Sequence, residues 1–165
     1  MLVKKSFLKL PILYFIAIIF VVLNLSNIKI SGLVDVIPLF DLMMVFYFGI
    51  YKSLFGIGFI FLMGMWNDAL CGNPITLTSL CYIILIKIFK VINNKVAIKD
   101  NFKQIWQQFI LFCLLFLALK YLLLSMFNGS FYSINNIFMQ FILSIFFYVV
   151  IHKFFDYLNL KLLEE

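Results

Sequence analysis

The stretch GFIFLMGMWNDALCG, residues 58–72, decides how this chain is read. It is an apolar run of helical length that ends in small residues and holds one carboxylate, Asp68. A carboxylate at the centre of a membrane helix costs about 2.5–3.5 kcal/mol on insertion scales, so some neighbouring group has to offset it. Residues four apart share one face of a helix. Gly64, Asp68 and Gly72 therefore form a stripe, the acid lying between two residues without side chains. Small residues admit the close approach of another helix. Asp68 is expected to face a neighbour, with Gly58, Gly64 and Gly72 as helix-packing positions.

The rest of the sequence supports a membrane setting. Of 165 residues, 65% are hydrophobic and 12% charged, and the mean hydropathy is +1.13. That is more apolar surface than a soluble domain of this length could bury. A spanning helix needs about 20 apolar residues, which leaves room for roughly six spans and little else. The expected fold is an all-α membrane protein, a single domain over residues 1–165. Its spans are placed at about 7–26, 36–51, 54–71, 75–92, 105–127 and 137–155. The first has the basic start of a signal peptide, but its apolar run is long and no small-x-small cleavage site follows, so it reads as a span. Asn73-Pro74 marks a tight turn between the third and fourth. The tail from Asp156 is expected at the membrane surface.

Topology follows from charge. All thirteen basic residues are lysine. With a cytoplasmic N-terminus, eleven of them fall in inside segments, Lys29 falls outside and Lys120 lies within a span. That bias favours both ends inside. The net charge of +6 sits beside apolar runs in the manner of topology determinants, which argues against a nucleic-acid partner. Basic segments also attract anionic lipid. Trp106 and Tyr157 fall near the inner boundary, Phe131 and Tyr132 near the outer, as an aromatic belt would. Abundant Ile, Phe, Asn and Lys suit an AT-rich bacterial genome.

Catalytic chemistry finds little footing. Cys71, Cys81 and Cys113 form no CxxC pair and read as small apolar packing residues. No metal, no cofactor and no catalytic set is expected. The chain's single histidine, His152, beside Lys153, reads as an interfacial residue. There is no glycine-rich phosphate loop and no convincing repeat.

Depth counting at 1.5 Å per residue puts Asp68 roughly 6 Å below the outer boundary, and Asp41 and Lys120 each about 10 Å below it. The three charges within spans thus share one layer. It is either a polar cluster facing a groove for a partner or ligand, or an internal ion pair of Lys120 with one aspartate that holds helices together.

The residues Gly58, Phe59, Gly64, Asp68 and Gly72, in that order, resemble the signature of MreD, the small integral membrane protein of the bacterial rod-shape system. Pro38 sits where that family has a proline opening its second apolar segment. Trp106, Gln107 and Gln108 are similar to the family's Trp-Gln-Gln lead-in to a later span. Departures are Ile37 in place of an arginine, Pro74-Ile75-Thr76 in place of Pro-Leu-Gly, and Lys120 where relatives often carry an acid. The resemblance implies a non-enzymatic scaffold in the inner membrane. It would bind MreC and support peptidoglycan polymerase, transpeptidase and MreB filaments of the elongation machinery. It also implies likeness to the six-helix substrate-binding subunits of energy-coupling-factor vitamin transporters, which supplies the competing function. A lipid-modifying enzyme is a distant third.

Overall fold

The computed structural model describes residues 3–24, 37–95, 101–128 and 134–161, with side chains at 11–24, 37–92, 101–127 and 134–161. Among the described residues all regular structure is helical. The elements are α1 (Val3–Leu23), α2 (Phe40–Met44) running directly into a π-helix (Val45–Tyr51), α3 (Ile57–Cys71), α4 (Leu77–Lys95), α5 (Phe102–Asn128) and α6 (Ile134–Asn159). Counting α2 with its π-helical continuation as one, the described residues make six helices. Lys4, Lys5, Lys9, Lys29, Lys95, Lys99, Phe131 and Tyr132, which carry part of the topology and belt expectations, have side chains outside the described set.

Two helices, α5 over Phe102–Phe127 and α6 over Ile134–Asn159, are long and apolar enough to cross a membrane. The expected second and third spans are shorter than the sequence suggested. Residues 37–39 are not helical, so that helix begins at Phe40, and a bend around Ser53, with φ of 50°, separates it from α3. The 15 residues of α3 reach only about 22 Å, and Phe40–Tyr51 about 18 Å, against a hydrocarbon layer of about 30 Å.

The segment that begins at Asp41 is the hub of the bundle. Residues 41–50 are all buried, and α2 with the π-helix touches α1, α3, α4, α5 and α6. A helix apolar on every side belongs inside, and DLMMVFYFGIY offers no polar face to turn outward. Phe46 packs on Phe109, Phe112 and Tyr148, and Phe48 on Phe55 and Phe155. The π-helix closes where Lys52 N–H donates to Tyr47 O at 2.8 Å, and Leu54 and Phe55 N–H both donate to Phe48 O.

Outer surfaces are apolar. Phe138, Phe146, Phe147, Val150 and Phe154 of α6 are exposed, as are Phe15, Leu62 and Trp66 elsewhere. A soluble protein seldom leaves so much contiguous apolar area uncovered. Asp41, Asn67, Asp68, Thr78, Ser79, Ser144 and His152 are turned the other way and buried in the bundle.

Candidate functional site

Asp68 joins α3 to α4. Its side chain is fully buried, 0% exposed. Oδ2 accepts the Thr78 N–H at 2.8 Å and Oδ1 accepts the Thr78 hydroxyl. Thr78 is the second residue of α4, and its N–H has no acceptor within that helix. The carboxyl thus caps α4 from the preceding helix, in place of a local N-cap side chain. The backbone of the same residue ends α3, since Asp68 O accepts both the Gly72 N–H and the Asn73 N–H. Gly72 makes that possible with φ of 68°, a left-handed value that glycine adopts without strain.

Gly64 completes the hairpin. A Cβ built there would lie 2.6 Å from Ser79 Cα and 2.7 Å from Ser79 N, so α3 and α4 meet backbone to backbone. The Ser79 hydroxyl donates across the same gap to Phe61 O at 2.8 Å. Of the three glycines expected to pack helices, only Gly64 does so. Gly72 is a helix terminator, and a Cβ at exposed Gly58 meets nothing within 4 Å.

Of the two alternatives for the charged layer, the ion pair of Lys120 with an aspartate is not found among the described residues. Asp41, 1% exposed, accepts the Tyr82 hydroxyl on Oδ2 and the Leu42 N–H on Oδ1. Asp68 takes both its hydroxyl and its backbone partner from α4, whereas Asp41 takes a hydroxyl from α4 and the N–H of the next residue in its own helix. Among the described residues, no carboxylate lies within 4.0 Å of Lys120. Lys120 and Asp41 act on Asp68 only through space. The Lys120 ammonium stands 5.7 Å from the centre of the Phe116 ring.

Lys120 instead borders a half-enclosed cleft of about 160 Å³ where α1, α3, α5, α6 and residues 37–39 converge. Asn24, Pro38, Asn67, Cys71 and Gln140 share its walls. Asn67 Oδ1 accepts from Asn24 Nδ2 at 3.4 Å and from Cys71 Sγ at 3.5 Å. Gln140 is held on both sides, accepting from Tyr121 and donating to Ile37 O. Asn24 Oδ1 is buried with no hydrogen-bond partner.

A second polar feature escaped the sequence reading. Gln140, Ser144, Tyr148, His152 and Asp156 recur every four residues along α6 and turn one polar stripe toward the hub. Ser144 accepts the Leu39 N–H at 3.0 Å, serving a donor that the non-helical residues 37–39 leave open. At the far end, the Tyr47 hydroxyl donates to Asp156 Oδ1, and His152 Nε2 lies 3.4 Å from Asp156 Oδ2. His152 Nδ1 is 3.3 Å from the Tyr148 hydroxyl, and the ring is surrounded by Tyr47, Tyr51 and Phe102. His152 is 3% exposed, so its side chain is buried within the bundle. The spacing of four was present in the sequence and would have marked this face.

The remaining motif residues are dispersed. Pro38 is buried at the cleft. Phe59 packs edge-on against Tyr14 at 4.4 Å. Trp106 is half-buried, its indole N–H without a partner; Gln107 is exposed and Gln108 half-buried. Cys81 and Cys113 are buried as expected, whereas Cys71 is exposed. No group of three or more metal-ligating side chains occurs among the described residues.

The chain is similar to an uncharacterized protein of Rickettsia prowazekii (strain Madrid E), 27% identical over 157 residues, which covers 93% of this chain and 90% of that protein. Neither a family model nor a solved structure matches.

Proposed function

We propose that the chain is a non-enzymatic, multi-pass scaffold of the bacterial inner membrane, of the MreD type, that binds an MreC-like single-span protein in the cell-elongation complex. In this reading the six helices form one spanning bundle with both ends cytoplasmic, shaped like the substrate-binding subunits of energy-coupling-factor transporters. The observation that carries the reading is the joint role of Gly64, Asp68 and Gly72. These residues are three of the five that resemble the MreD signature, and they build one hairpin by close approach, cross-helix capping and helix termination. A rigid hairpin inside a bundle with an apolar exterior suits a protein whose work is to hold others in place.

Three measurements test it. The tagged full chain, extracted from native membranes, brings down an MreC-like protein, and its depletion rounds rod-shaped cells. Recovery of a transporter ATPase without any MreC-like protein overturns the scaffold. Reporters fused after Asn94 and after Ser133 read cytoplasm and exterior respectively; the reverse pattern rejects the topology. The second reading, a solute-binding transporter subunit, draws on the polar cleft at Lys120.

A further inference from the structure

The far half of the α6 stripe is a chain of hydrogen bonds whose direction the chemistry fixes. Tyr148 is fully buried, and among the described residues its hydroxyl has one partner, His152 Nδ1 at 3.3 Å. A buried O–H needs an acceptor, so Nδ1 accepts and carries no hydrogen. Nε2 then holds the ring's one N–H and faces Asp156 Oδ2 at 3.4 Å. The other oxygen, Oδ1, accepts the Tyr47 hydroxyl from the π-helix. Every donor has an acceptor only while His152 is neutral. A proton on Nδ1 turns that atom into a second donor against the Tyr148 hydroxyl, whose own hydrogen is then left without an acceptor. It also places a charge on a ring enclosed by Tyr47 and Tyr51 of the π-helix and Phe102 of α5. The charged groups that act on the ring are Asp156, which favours the proton, and Lys52, which opposes it. Asp156 is half-exposed, so solvent screens its attraction.

We propose that Tyr148, His152, Asp156 and Tyr47 form a pH-sensitive latch between α6 and the π-helix of the hub. With His152 neutral, the four groups tie the far end of α6 to the π-helix. Uptake of a proton strands the Tyr148 hydroxyl, and the charged ring is relieved by turning outward to solvent beside Asp156, which draws the carboxylate off Tyr47. The end of the π-helix, closed by Lys52 N–H on Tyr47 O and by Leu54 and Phe55 N–H on Phe48 O, then opens locally. The sign follows from linkage. A histidine that is neutral when folded and ordinary when unfolded, at about 6.5, makes the unfolded chain bind more protons below that pH. Stability is therefore full above about pH 6.5 and falls as the pH drops below it. The latch rests on these hydrogen bonds and stands whether the chain is a scaffold or a transporter subunit; only its placement on the cytoplasmic side rests on the topology proposed above.

His152 is the only histidine in the chain, so its ring can be followed without ambiguity. The test uses the purified full chain in a nonionic detergent, its histidine labelled with carbon-13 and nitrogen-15 for NMR. At pH 6, where an ordinary histidine is mostly charged, the ring should be neutral and in the Nε2–H tautomer. Between pH 7 and pH 5.5 the unfolding equilibrium constant should rise several-fold, with a ceiling of about eightfold for one histidine that takes its proton only when unfolded. Hydrogen exchange, corrected for its intrinsic pH dependence, should lose protection across residues 47–55 over the same interval and keep it in the α3–α4 hairpin. His152→Gln offers a donor and an acceptor but nothing that titrates. It should unfold near the wild-type midpoint at pH 7 and lose both pH responses. A ring charged at pH 6, the Nδ1–H tautomer, protection of residues 47–55 that does not change with pH, or a pH response shared by wild type and His152→Gln overturns the proposal. The labelled wild-type ring and its exchange pattern decide the matter even if His152→Gln fails to fold.

Discussion

The Asp68–Thr78 contact yields a quantitative prediction, because two hypotheses about Asp68 couple it to different residues. In the structure its carboxyl accepts two bonds from Thr78, one of them from the backbone N–H. Asp68→Leu removes both acceptors at a site with no exposure. A buried donor left unmade costs about 1–3 kcal/mol, although contacts between membrane helices average only about 0.6 kcal/mol. The loss should fall at about 2–4 kcal/mol, since both a hydroxyl and a helix-end N–H are stranded. Asp68→Asn keeps one oxygen that can accept the Thr78 N–H and can turn its NH₂ toward the Thr78 oxygen, so it should cost about 1 kcal/mol. The decisive measurement is a pair of double-mutant cycles, read by reversible unfolding of the purified protein in mixed micelles. Asp68→Leu combined with Thr78→Val should be less damaging than the sum by about 1 kcal/mol, because the valine no longer strands a hydroxyl. Asp68→Leu combined with Lys120→Leu should be additive within about 0.5 kcal/mol, since the two groups do not touch. A coupling to Lys120 larger than that to Thr78 would refute the capping account and restore the ion pair.

Three further outcomes follow from the same hairpin and the hub. Gly64→Ala should cost about 1–3 kcal/mol, because its methyl would meet the Ser79 backbone at 2.6 Å, while Gly58→Ala at an open position should stay within about 0.5 kcal/mol; thermal unfolding of the two variants side by side checks this. Thr76→Gly should raise the unfolding midpoint, since Thr76 holds φ of 81°, where a β-branched residue is strained by about 1–3 kcal/mol; an unchanged or lower midpoint would count against the strain. Tyr82→Phe leaves one oxygen of buried Asp41 without its hydroxyl donor and should destabilise by about 1–3 kcal/mol, more than Tyr121→Phe at the half-buried bond to Gln140.

Much of the layout was readable because it depends on local pattern. The apolar runs set the helices, Asn73-Pro74 set the turn, and the spacing of Gly64, Asp68 and Gly72 marked a face that meets another helix. What the spacing could not supply was the identity of the partner. A carboxylate needs donors, and depth counting could offer only the charges of its own layer, Asp41 and Lys120, because it weighs charge and height alone. An unfilled backbone N–H at the start of α4 is invisible to that count, yet it lies nearer and is always present. The glycines divide in the same way: a small residue permits close approach, but only the fold decides whether anything approaches, as at Gly64, or nothing does, as at Gly58.

The π-helix shows the other limit. Its bonds run between residues five apart, and no periodicity of side chains announces it in a segment that is apolar on every side. Its consequence reaches α6. Because residues 37–39 are not helical, the Leu39 N–H and the Ile37 carbonyl need partners inside an apolar bundle, and Ser144 and Gln140 provide them. Farther along the same stripe, Asp156 takes the Tyr47 hydroxyl just before the π-helix closes. The polar stripe of α6 thus serves the non-helical backbone of residues 37–39 at one end, through Ser144 and Gln140, and the Tyr47 side chain of the π-helix at the other, through Asp156. Thr76 makes the same point within the hairpin. It holds φ of 81°, a left-handed value that a β-branched residue rarely adopts. The backbone path is thus fixed by the groups around it, Asp68 on one side and the Gly64–Ser79 contact on the other, and not by the residue that bears the strain.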